Sequence, residues 1–118
     1  MFMSKRGDSE SIRDIREAVR RIDIYLEGLE YDEFIQDIKS QDAVVRNLEV
    51  IGEAAKNISN GLKKKHPEVP WKELAGLRDR LIHQYFGINF DIVFQIAKEE
   101  LPPINLKIEK IVPGKNRK

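Results

Sequence analysis

The chain predicts an all-α fold, an antiparallel bundle of four to five helices, and three observations carry that expectation. Apolar residues recur at spacings of three and four over most of its 118 residues, the mark of helices with one buried face. Charged residues make up 35% and hydrophobic residues 41%, with only 7 Gly and 5 Pro, a balance suited to amphipathic helices rather than to a sandwich of short strands. No segment alternates apolar and polar residues strongly enough to read as a strand. A chain of this length fits one domain with a single core. The expected organisation is a flexible N-terminus over residues 1–10, a helical bundle over 11–112 and a basic tail over 113–118.

From about Ser11, residues Ile12, Ile15, Val19, Ile22, Leu26 and Leu29 follow one helical face, with Gly28 near its end. Ser11 and Asp14 resemble a capping pair, with Asp8 and Ser9 as alternative starts. The stretch "YDEFIQDIKS" suits a short helix or a helical turn. Val44, Leu48, Ile51, Ala55, Ile58 and Leu62 then form a heptad-like seam sustained for about five turns, able to serve the core, a dimer interface or both. Gly52, Ala54 and Ala55 leave little side chain there, so a neighbouring backbone could approach closely. Gly61 and the lysines after it close this helix, and "HPEVP" is a connection through which no helix continues. Trp71 to Phe86 reads as a third major helix, with Pro70 near its first turn and Gly87 as its stop. Asn89 can cap a fourth, whose inner face is Phe90, Val93, Phe94 and Ala97 and which Pro102 and Pro103 interrupt. A last helical piece covers Ile104 to Val112, ahead of a disordered "PGKNRK".

Several functions are disfavoured by composition. A net charge of +1 supplies no global attraction to nucleic acid or membrane, so any anion site must be local. There is no cysteine and there are two histidines, which removes thiolate catalysis and leaves few ligands for a transition metal. His83 has no Glu three positions before it, so the Glu-x-x-His pairs of di-iron bundles are missing. Neither a glycine-rich phosphate loop nor a strained nucleophile turn occurs, and no cofactor site is legible. Glu49 and Glu53 share a helix face and could hold a cation, although solvation or pairing with Arg46 or Lys56 is the simpler arrangement. Lys63, Lys64, Lys65, Lys115, Arg117 and Lys118 could contact phosphates, or simply solvate a helix end and a tail. No run approaches 18 apolar residues, and the opening residues lack the apolar core of a signal peptide. A cytoplasmic protein without a membrane segment is expected.

The stretch "LRDRLIHQYFG" holds the chemistry. On a continuous helix Leu74, Leu77, Leu81, Ile82 and Tyr85 share one side and Arg78 falls among them. A guanidinium cannot remain unpaired in an apolar core, so it must meet a carboxylate, a partner chain or an anionic ligand. Asp79 and His83 lie one helical turn apart, close enough for the carboxylate to polarise the imidazole. A fixed cation, a titratable base with an acidic neighbour and the phenol of Tyr85 are parts from which metal-independent phosphodiester cleavage can be built. Histidine can take the proton of a ribose 2′-hydroxyl, arginine can brace the phosphoryl oxygens, and the need for that hydroxyl selects RNA. The spacing also suits a structural arrangement: Arg78 bonded to a buried acid, Asp79 and His83 paired at the surface, and Tyr85 in the core.

The motif "RDRLIHQY" matches the Arg, four residues, His, one residue, Tyr signature of the HepT-like toxins, a branch of the HEPN superfamily. "AVVRNLEVIGEAAKNIS" and "VPWKELAGLRDRLIHQYFGI" are similar to that family's sequences in the same order, and the resemblance spans roughly residues 10 to 112. It implies a HEPN bundle that forms a homodimer with two motifs facing across a cleft. It also implies a metal-independent endoribonuclease, the toxin of a toxin–antitoxin pair, whose partner is a minimal nucleotidyltransferase antitoxin. In that family's pattern Arg78 stabilises the phosphate, His83 is the general acid or base, Asp79 orients or assists, and Tyr85 receives AMP from the antitoxin. Two other readings stay open: a non-catalytic module that binds a nucleotide or RNA beside a nucleotidyltransferase, and an oligomerisation surface whose motif is an interface salt-bridge cluster.

Overall fold

The computed structural model describes residues 7–111 apart from 84 and 86, and for residue 83 the backbone alone. The start of the expected N-terminal arm, the basic tail and the His83 imidazole therefore lie outside the described residues.

Helix α1 (Asp8–Leu26) begins ahead of Ser11, which is fully buried on its inner face rather than capping it. Ile12, Ile15, Ala18, Val19, Ile22 and Leu26 are buried along the same stripe. Gly28, at φ 77°, turns the chain in a conformation costly for other residues. A short α2 (Tyr31–Ile35) follows, opened by a capping box in which the Glu33 carboxylate accepts from the Glu30 amide at 2.8 Å. It delivers Phe34 into the core against Phe94, ring centroids 5.2 Å apart.

The Asp37 carboxylate accepts from the Ser40 amide (3.1 Å) and hydroxyl (2.8 Å) and so opens the central helix α3 (Ile38–Lys56). α3 packs against α1, α2 and the elements that carry the motif. The seam is buried as expected at Val44, Leu48, Ile51, Ala55 and Ile58, but the helix stops at Lys56 instead of running to Gly61. Asn57 to Ser59 make a turn, and the Ser59 hydroxyl accepts from the Leu62 amide to start a separate α4 (Asn60–Lys65), which contains Gly61. Asp8 secures that turn by accepting from the Ser59 amide (2.8 Å) and hydroxyl (2.6 Å).

The expected helix from Trp71 to Phe86 is three elements. It breaks at Gly76 into α5 (Trp71–Ala75) and α6 (Leu77–Leu81), and then gives way to a two-residue strand β1 (Ile82–His83) paired antiparallel with β2 (Gly87–Ile88). Gly87, at φ 81°, lets the chain return in a tight hairpin, and the Asn89 amide donates to the Leu81 carbonyl at 2.8 Å to lock the exit. Asn89 caps α7 (Phe90–Gln95) as expected, its side chain accepting from the amides of Asp91 and Ile92.

Pro102 and Pro103 do not interrupt the last helical stretch. A π-helical turn over Ile96–Glu100 leads directly into α8 (Leu101–Glu109), where the prolines occupy the first turn, and the Leu101 amide bonds five residues back to Ile96. The widened turn makes room for rings that would press on the carbonyls of a regular helix. α8 lies against α1, closing a core that includes Leu48, Ile51, Leu74, Leu81, Val93, Ile96 and Ile108. Among the described residues no helix is long and apolar enough to cross a membrane.

Gly52 permits the close approach its sequence suggested: a Cβ there would meet the Leu74 carbonyl at 3.3 Å. Gly52→Val should lower the unfolding free energy by about 1–3 kcal/mol through overpacking. Gly61→Ala, whose Cβ would have only the Ser59 hydroxyl near, at 3.8 Å, should raise it by up to about 1 kcal/mol. Chemical denaturation of both variants checks the contrast.

Candidate active site

The break at Gly76 resolves the problem posed by Arg78. Leu74, Leu77 and Leu81 are buried, whereas Arg78 is exposed on α6 and has no hydrogen-bond or ion-pair partner among the described residues. It does not share a stripe with Ile82 and Tyr85, which are 47% and 85% exposed. The expected core positions of those two residues required a helix that in fact ends earlier, at Leu81.

Arg78 instead lines a groove of about 400 Å³ between α6 and α3, together with Arg46, Glu49, Glu53, Lys56 and the backbone region of Gly52 and Ala75. The four charged α3 residues follow one another at helical spacing on one face. Of the two arrangements expected for Glu49 and Glu53, solvation or pairing with Arg46 or Lys56, no such pair closes to ion-pair distance among the described residues. Gly52 sets the groove's depth, because the missing side chain brings the α5 carbonyls onto α3 and carries Arg78 toward Glu53 and Lys56.

Asp79 is exposed beside Arg78 but does not line this groove. Asp79 and His83 do not share one continuous helix: α6 ends at Leu81, and the His83 backbone lies opposite Gly87 in the hairpin. Tyr85 occupies the hairpin turn, the most exposed large hydrophobic side chain among the described residues. The motif thus runs along one strip of chain from α6 into the hairpin, with an exposed arginine on the helix, a histidine in the strand and an exposed tyrosine in the turn.

Sequence reasoning missed Arg80. Its guanidinium grips Glu100 with both arms, Nη1 to Oε1 at 2.8 Å and Nη2 to Oε2 at 3.0 Å, and the Gln95 amide donates to the same carboxylate at 3.4 Å. This fork fastens the motif helix to the end of the π-helical turn. The hydrogen bonds from Arg80 hold the Glu100 carboxyl below the usual glutamate range, against partial burial, and the carboxylate raises Arg80 in return. No local spacing could have signalled a pair twenty residues apart.

A family model described as "Ribonuclease HepT-like" matches residues 15–111. A Thermococcus cleftensis protein named "Probable ribonuclease HepT" is 43% identical over 107 residues, covering 91% of this chain and 97% of its own. A Methanocaldococcus jannaschii protein named "Putative RNase" is 46% identical over 110 residues, covering 93% and 91%. A second such protein of that organism is 44% identical over the same length. No solved structure matches the chain.

The Arg80–Glu100 fork has a pH signature. A carboxyl whose pKa is lowered by folding stabilises above its ordinary range and loses that contribution as pH falls through the lowered value. Glu100→Gln should therefore reduce stability slightly at neutral pH, by under about 1 kcal/mol because both side chains are partly exposed. It should also show a shallower loss of Tm than wild type below about pH 4.5, the ordinary value for the group. Thermal melts across pH 3–7 in the two proteins give the comparison.

Proposed function

The chain belongs to the HepT-like ribonuclease family, and from that premise we propose that it is the toxin of a toxin–antitoxin pair, cleaving RNA without a metal ion. The observation that carries the reading is Arg78, a cation without a partner among the described residues that lines a groove rather than being sealed in the core. Arg78 receives the scissile phosphate and steadies the charge that gathers on its oxygens. His83 takes the proton of the 2′-hydroxyl, whose oxygen attacks phosphorus. The bond to the 5′-oxygen breaks, that oxygen recovers a proton, and a 2′,3′-cyclic phosphate and a 5′-hydroxyl result. Asp79, next to Arg78 on α6, assists by favouring the protonated imidazole.

The exposure of Tyr85 supports silencing by modification there. A phenol 85% exposed at a hairpin tip is open to a nucleotidyltransferase antitoxin that transfers AMP to it. The added phosphate and nucleoside would bring negative charge and bulk to the edge of the strip and repel incoming RNA. A homodimer that sets two such strips face to face would complete the cleft. Because Asp79 and His83 are not aligned on one helix, the same surface also suits a module that binds RNA or a nucleotide without cutting it, and turnover separates the two.

Arg78→Ala and His83→Ala should each lower RNA cleavage by at least about 100-fold with an unchanged helical circular dichroism spectrum, and wild type should keep its activity in a chelator. Calorimetric binding of RNA by unmodified wild type without any turnover would put the binding module first. After co-expression with the neighbouring nucleotidyltransferase, intact mass should rise by one or more AMP units, and Tyr85→Phe should abolish the increment. An increment that persists in that variant would remove Tyr85 from the scheme.

A further inference from the structure

Lys56 belongs to two grooves. It lines the one that contains Arg78, and it also lines a second, of about 500 Å³, that runs over the turn after α3 to Lys63 on α4. The second groove exists because α3 stops at Lys56 and the chain drops away through Asn57–Ser59. Its one carboxylate, Asp8, is engaged by the Ser59 amide and hydroxyl, which leaves Lys56 and Lys63 as the groove's outward charges. Lys63 is half-buried, and the exposed Lys64 and Lys65 follow it on α4.

The charges also give a direction. From the neighbourhood of Arg78 each way along α3 meets a carboxylate and then a cation, Glu49 and Arg46 one way and Glu53 and Lys56 the other; beyond Arg46 the next groove carries Asp14, Glu17 and Arg21, whereas beyond Lys56 it carries Lys63 and the engaged Asp8. A polyanion therefore meets balanced charge around Arg46 and net positive charge around Lys56 and Lys63, and is drawn the second way. We infer that an RNA strand engaged at Arg78 continues over Lys56 onto α4, where Lys63 holds a phosphodiester flanking the cut. This rests on the ribonuclease reading for what sits at Arg78, but it adds an outlying binding track that makes longer strands better ligands than a dinucleotide. It assigns a task to the lysine run that a solvated helix end would not have.

The test uses the full chain free of AMP, a single-stranded 20-mer RNA, a dinucleoside monophosphate and three variants: Lys63→Glu, the milder Lys63→Gln, and Lys107→Glu, the same charge change at an exposed position outside both grooves. Lys63→Glu should weaken 20-mer binding about tenfold, and for every phosphate it no longer neutralises the dependence of log K on log salt should flatten by about 0.7. Lys63→Gln should weaken it less, Lys107→Glu hardly at all, and cleavage of the dinucleoside monophosphate should be unchanged in all three. Equal losses in Lys63→Glu and Lys107→Glu, or an unaltered salt slope, would overturn the track while leaving the nuclease intact. Binding of the 20-mer that depends on Lys63 in a protein that cuts neither substrate would keep the track and remove the nuclease. Failure of wild type to bind the 20-mer, or capture of phosphatidylserine vesicles in its place, would end the proposal.

Discussion

The arrangement depends on one contact, the near touch of Gly52 on α3 and the Leu74 carbonyl on α5. At any residue with a side chain the two backbones would have to separate, and the groove they enclose would change depth. Because α5 leads through Gly76 into α6, that approach also fixes how far Arg78 stands from the charged face of α3. Packing of the core and presentation of the cation are therefore set by the same missing Cβ.

Two arginines on the five-residue helix α6 show how short elements divide labour. Arg80 is consumed by Glu100 in a two-armed grip and holds the helix to the end of the π-helical turn. Arg78, two residues earlier, has no such partner among the described residues and faces the groove. A helix this short is unstable by itself. It owes its position to buried Leu77 and Leu81 on one side and to the fork on the other, which lets the exposed Arg78 be held steadily toward solvent.

Much of this was legible in the chain. The apolar rhythm located the inner faces of α1 and α3 residue by residue, and Asn89 announced the start of α7, because burial and capping are local rules that a spacing records. The breaks were harder to read. Ile58 stays buried and Leu62 partly so across the turn that ends α3, so the seam continues in sequence where the helix does not. Gly76 and Gly87 are punctuation whose reading depends on tertiary context: the first splits a helix, and the second, expected to stop one, turns a hairpin. Of the candidate site, the identity of Arg78 was visible but its exposure was not, since that follows from the break at Gly76. Arg80 and Glu100 meet only through the packing of α6 on α7 and the segment after it, which no short-range pattern encodes.

The π-helical turn ahead of α8 has a bearing on how such chains can diverge. A turn of this kind holds one residue more than the regular helix would. Removing a single residue between Ile96 and Glu100 would close the turn into a regular helix with Leu101 and Ile108 still on the core face, but it would press the rings of Pro102 and Pro103 onto the carbonyls four residues back. Substitutions at the exposed positions Lys98 and Glu99 leave that geometry alone. In this segment chain length is therefore tied to the two prolines that follow it, while the exposed side chains between are free to vary.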